Sequence, residues 1–209
     1  MRVRELERLE NSVFRATPEL RDVRVATHEA GHVVAYLARG RCVMGATIVE
    51  TPFAGGFATA FENPIFATSA EGRMICSIAG WCAEELSQPD DPWVQARKNI
   101  RTRLVSIPIR SHIEHQWGIR HDWGTFCAAA LEELCAETGT QTVDLRLKKW
   151  RTRIVDRYQQ MHSKTTELLQ QHIPVMTAFT NALIDRKTLN KYEIDDIWRE
   201  LEPPAGPPE

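Results

Sequence analysis

The chain is predicted to be mainly α-helical, with a small β-hairpin or edge strand in its first third. Three observations lead there. Apolar residues recur at helical spacing through most of the chain, as in Val143, Leu147, Trp150, Ile154, Tyr158, Met161, Thr165 and Leu168. Residues that start and stop helices punctuate these stripes. One stretch, Val43 to Phe61, instead combines Val, Ile and Thr with a Pro/Gly turn.

Each element follows from its own signals. Val3, Leu6, Leu9 and Val13 predict a short helix in an N-terminal extension over 1–16. Thr17-Pro18 reads as an N-cap followed by proline at the first helical position. From there a helix should run to Arg39, with Gly40 ending it. Val43 to Glu50 and Phe57 to Phe61 predict the hairpin strands, turned by Pro52 and Gly55-Gly56. Ser69 caps a helix through Gly80 to Leu86, and 93–117 carries helical pieces interrupted at Pro108. Asp122 to Glu137 is a helix stopped by Gly139, and a long helix spans Thr142 to Gln171. Pro174 opens the next helix, to Ile184. Asn190 with Glu193 forms a capping box for a last helix ending near Leu201. The proline-rich end, 202–209, reads as a loose tail. The expected domain is therefore 17–201.

Composition bounds the function. The 209 residues are 43% hydrophobic and 26% charged, enough for a sizeable core and against wholesale disorder. A net charge of -2 gives no electrostatic case for nucleic acid or an acidic membrane surface. No apolar run approaches the roughly 20 residues that span a bilayer. The first ten residues lack the apolar centre of a secretory signal, so a cytoplasmic location is expected. Five cysteines at wide spacing, without a C-x-x-C, read as buried thiols in a reducing compartment.

The chemistry is concentrated in His28-Glu29-Ala30-Gly31-His32. Residues i and i+4 share one face of a helix, so both imidazoles can converge on one zinc ion. Glu29, beside the first ligand, is placed to act as general base toward the water that the metal activates. A chance H-E-x-x-H arises in roughly one or two such chains per hundred, so context matters. Here the motif lies within a predicted helix, its spacers are small, and Val33, Val34 and Leu37 supply a buried face.

These surroundings carry a family resemblance. Val25 to Val34, Thr47-Ile48-Val49, Gly56-Phe57-Ala58-Thr59, Ala79 to Leu86 and the segment Thr166 to Trp198 resemble the proteolytic domain of FtsH-type AAA zinc metalloproteases. The resemblance covers roughly 20 to 201. It implies one zinc ion per chain, held by His28, His32 and a downstream Asp, here matched by Asp122. Helix capping is the competing role for Asp122, with Glu84 or Glu85 as the alternative third ligand. The resemblance also implies that Thr47, Ile48, Val49 and Gly56 bind an extended substrate along a strand edge. Ser87 to Ile119 looks longer than in the family, and Thr51 to Gly56 replaces its usual Pro-Arg-Gly.

No phosphate loop of the G-x-x-x-x-G-K-[ST] kind is present. The expected activity is therefore zinc-dependent, ATP-independent cleavage of unfolded or flexible polypeptides, with a separate ATPase or self-association as possible partners. The alternatives are a catalytically reduced binding module and a zinc hydrolase of a small amide. His112, His115 and His121 are expected to be solvated, the basic group around Lys149 to be a solvated helix face, and most of the six tryptophans to be core or interface anchors.

Overall fold

A computed structural model describes residues 17–50, 56–61, 69–91, 94–95, 120–141 and 148–201. The expected N-terminal helix, the turn at 51–55, His112 and His115, the start of the long helix at 142–147 and the proline-rich tail lie outside these residues. Six helices and three short strands are described, so the mainly helical expectation holds.

The first helix, α1, spans Pro18–Ala38. Thr17 Oγ1 accepts a hydrogen bond from the Leu20 amide and Pro18 occupies the first turn, as the sequence suggests. Gly40 follows with φ +71°, a left-handed conformation that costs glycine little. The chain then enters β1, Cys42–Thr47, which pairs antiparallel with β2, Phe57–Phe61. Ser69 Oγ accepts from the Gly72 amide and starts α2, Ala70–Ser87. Met74 through Glu84 are all buried, so α2 is enclosed on every side and forms the middle of the domain.

Around it lie α3, Arg120–Thr138, and α4, Lys148–Gln171. They are followed by α5, Ile173–Arg186, and α6, Lys191–Leu201. Between α5 and α6, β3, Thr188–Asn190, adds a third strand on the other side of β1. The hairpin expected from sequence is thus part of a sheet ordered β2-β1-β3. Asn190 forms the anticipated capping box. Its Oδ1 accepts from the amides of Tyr192 and Glu193, and its own amide donates to the Glu193 carboxylate at 2.9 Å.

Two packing features position the chemistry. An aromatic stack joins α2, α3 and α4: Trp81 lies 6.1 Å from Trp123, which stacks on Phe126 at 5.2 Å, and Tyr158 meets both edge-on. These large buried rings fix α3 rigidly at Trp123, the residue after Asp122. The second feature is the close crossing of α1 and α2. A Cβ on Gly31 would fall 2.5 Å from Ala83 Cβ and 2.6 Å from the Ala79 carbonyl oxygen. Mid-helix glycine costs about 1 kcal/mol relative to alanine, and here it permits backbone contact that no other residue allows.

A half-buried ion pair ties α2 to α4. His162 Nε2 lies 3.0 Å from Glu85 Oε2, and the ring is held protonated up to about pH 10 by the Cys82 sulfur and the Glu85 carboxylate. The ring titrates near 6.5 when unfolded, so its contribution is complete below that pH and disappears as pH rises through about 10. Wild type is therefore expected to lose stability across pH 6.5–10 relative to His162→Gln, measured as urea midpoints. Parallel pH curves for the two proteins contradict the assignment.

Candidate metal centre

The two histidines of the motif lie one turn apart on α1, their rings 4.8 Å apart. Asp122, in the first turn of α3, faces them both. His28 Nε2 is 3.1 Å from His32 Nε2, 3.2 Å from Asp122 Oδ2, and His32 Nε2 is 3.4 Å from the same oxygen. Ligands about 2.0–2.1 Å from a tetrahedral metal are about 3.3 Å from one another, so the triangle has the size such an ion requires. His28, His32 and Asp122 can hold a metal ion. The carboxylate expected either as ligand or as helix cap is directed at the imidazoles.

The far nitrogens show which way the rings are protonated. His32 Nδ1 lies 2.8 Å from the Cys76 carbonyl oxygen, which can only accept, so Nδ1 carries the hydrogen. His28 Nδ1 lies 2.6 Å from Glu84 Oε1, a carboxylate that likewise accepts. Both Nε2 atoms then face the carboxylate oxygen of Asp122, where each can carry a proton or give its lone pair to a metal ion. Three lone pairs at this separation would repel, so protons or a metal ion must sit among them.

This arrangement decides between the carboxylates of α2. Glu84 is 2% exposed and binds the outer nitrogen of a ligand, not the metal position. Glu85 points to His162. Glu84 thus orients His28 and raises its basicity, the outer-shell role common at metal-bound histidine. From sequence alone Glu84 is an equal candidate for ligand, because its direction depends on how α1 and α2 cross.

The electrostatics suit a cation. Burial favours neutral rings, yet His28 is pushed up to about 10 by Asp122 and Glu84, and His32 is also raised, by Asp122. Burial would raise Asp122, but His32 and His28 hold it far below the usual carboxylate range. A metal ion must displace protons from such a site, so its affinity falls with pH. Glu29 goes the other way. It is 5% exposed, and burial raises its pKa despite the nearby histidines.

Gly80 was not singled out by its sequence context. A Cβ there would lie 2.6 Å from Cδ2, Cε1 and Nε2 of His28, so only hydrogen leaves room for the ring. Gly80→Ala is expected to displace the imidazole and weaken metal binding about 10–100-fold, as loss of an orienting partner does. Competition with a chromogenic chelator measures this, and an unchanged Kd contradicts it. A glycine in the middle of a buried helix, against its propensity cost, was the available signal.

No protein-family model and no curated protein matches this chain.

The expected substrate edge is corrected by the sheet. β1 is central: Thr47 pairs with Phe57 on one side and Thr188 on the other. The Ile48 amide donates to the Lys187 carbonyl at 2.9 Å, and the Val49 amide to Thr47 Oγ1 at 3.1 Å. Thr47 therefore has a strand on each side and cannot receive a further one. Among the described residues, the unpaired edges are the outer sides of β2 and β3. Gly56, just before β2, remains at the site. A Cβ on it would be 3.1 Å from Glu29 Oε1 and 2.7 Å from the Thr47 carbonyl oxygen, so the strand begins against the Glu29 carboxylate.

Proposed function

We propose that this chain is a zinc-dependent endopeptidase that cleaves unfolded or flexible polypeptides. The observation that carries the reading is the triangle of His28, His32 and Asp122, with Glu29 buried next to it and outside the ligand set. Two nitrogens and one carboxylate oxygen are a donor set that suits zinc, with an open fourth position. When bound, zinc polarises a carbonyl and makes water acidic enough to attack at neutral pH.

The protein's own groups supply the rest. Glu29, with its proton affinity raised by burial, is suited to take a proton from water and return it to the leaving amine. Glu84 and the Cys76 carbonyl keep both ligand rings turned toward the metal position. The outer edge of β2, which begins at the Glu29 carboxylate, offers backbone groups to an extended chain. The resemblance to FtsH-type proteolytic domains supports the same reading.

No helix among the described residues is long and apolar enough to cross a membrane. Purified protein supplied with zinc is expected to degrade an unstructured protein of the casein type, to spare a stable folded one, and to stop on addition of a chelator. Chelator-insensitive cleavage, or ATP-stimulated destruction of the folded protein, contradicts the proposal.

A further inference from the structure

Tyr36 continues the row of the two metal ligands. It stands four residues after His32, as His32 stands four after His28, so all three side chains leave α1 on one side. Its ring stacks on that of His32 at 6.3 Å and carries the Arg41 guanidinium over it at 5.3 Å. These contacts hold the ring and leave the hydroxyl at its rim. A phenol packed against the core usually finds a hydrogen-bond partner, yet among the described residues nothing bonds the Tyr36 hydroxyl.

Tyr36 lines a cavity of about 330 Å³ between α1, α2, α3 and β2, and Asp122 lines it too, so the cavity adjoins the metal centre. Ala58 and Ala60 are its small β2 wall, while Phe57 and Phe61 of the same strand are exposed. A chain extended along the outer side of β2 alternates in the same way, so every second side chain turns toward the cavity. The volume, at the small end of ligand pockets, has room for one of them.

The charged groups of the lining are already engaged. Arg73 pairs with Glu132, Arg41 lies over the Tyr36 ring, and Asp122 is directed at His28 and His32. A charge entering the cavity would give up its water without a partner of its own. The neutral groups offer more. The Tyr36 hydroxyl keeps its proton at neutral pH and can donate. Ser77, also in the lining, gives its hydroxyl proton to the Arg73 carbonyl at 2.6 Å, so its oxygen can still accept. A side-chain amide carries the matching acceptor and donor.

We propose that Tyr36 is a specificity-determining residue, whose hydroxyl, with that of Ser77, holds the side-chain amide of a Gln or Asn of the bound polypeptide in this cavity. The inference rests on the peptidase reading above and names the substrate feature for it.

The test uses zinc-loaded full-length Glu29→Gln protein, so that binding is read without turnover. Fluorescein-labelled peptides with amidated ends carry Gln stepped through each position, or Met, which matches it in shape without the amide. A second pair of sets compares Asn with Leu. Anisotropy is expected to show, at one position, the amide binding about 3–10-fold tighter than its apolar match, the size of a net hydrogen bond. Tyr36→Phe, which removes only the hydroxyl, should bring that ratio to one or below with zinc content unchanged. Ala60→Leu, which narrows the cavity from β2 and leaves Tyr36 in place, should abolish the preference as well.

A ratio of one or below at every position, or no binding, overturns the proposal. So does a preference that survives in Tyr36→Phe. If that variant fails to fold, Ala60→Leu decides in its place, and a preference it leaves intact overturns the pocket. The two readings also fail separately. Cleavage of amide and apolar peptides alike by wild type, with equal Kd, leaves the peptidase standing without the pocket. A Kd ratio with no cleavage of any peptide removes the peptidase alone.

Discussion

Glu29→Gln is expected to lower turnover of an unstructured polypeptide by about 10²–10⁴-fold, the range a positioned general base contributes, while metal content is unchanged. The substitution keeps size and shape but removes the proton acceptor. Glu29 is buried and borders the ligand triangle without belonging to it, so the ion has no reason to leave. It follows His28 on the helix and is brought against the Gly56 backbone, where an arriving chain would lie. Steady-state rates together with bound zinc per chain read both halves of the expectation. Loss of metal along with activity would make Glu29 a structural residue. Undiminished cleavage would remove it from the chemistry.

The second large effect separates ligand from supporting carboxylate. Asp122→Ala is expected to weaken zinc binding by more than about 100-fold, the upper end for an outer-shell partner. Glu84→Gln is expected to cost about 10–100-fold. Glu84 cannot swing in as a replacement ligand, because its carboxylate is enclosed and engaged with His28 Nδ1 at 2.6 Å. Titration of each metal-free variant against a competing chelator gives the order. The reverse order, with Glu84→Gln the more damaging, would make Glu84 the third ligand and Asp122 its support.

Local signals made much of this legible in the sequence. Thr17-Pro18, Ser69 and the Asn190/Glu193 pair start their helices where capping chemistry says they should, because a cap involves only neighbours in the chain. The i, i+4 spacing of His28 and His32 is equally local, and both rings point where a helix directs them. Asp122 was reached by family resemblance, and the aromatic stack of Trp81, Trp123 and Tyr158 explains how α3 holds it there.

What stayed hidden depends on contacts between distant segments. Thr188 to Asn190 is too short to read as a strand, and it becomes one only because β1 has a free side for it. That pairing leaves Thr47 inside the sheet, with β2 and β3 at its edges. Glu84 and Glu85 are identical as sequence, yet one serves the ligand His28 and the other binds His162 on α4. Their separation follows from adjacent positions on a buried helix pointing about 100° apart. Gly31 and Gly80 mark where α1 and α2 meet, and only the crossing itself reveals why each lacks a side chain.

The triangle of His28, His32 and Asp122 is expected to bind one zinc ion, and the activity proposed for the chain depends on it. Elemental analysis of wild type beside His28→Ala, both purified and dialysed with limiting zinc, tests it most directly. The expected result is one zinc per chain in the wild type and none in the variant, with circular dichroism showing that both are folded. A wild type without metal, or a folded variant that retains a full equivalent, contradicts it.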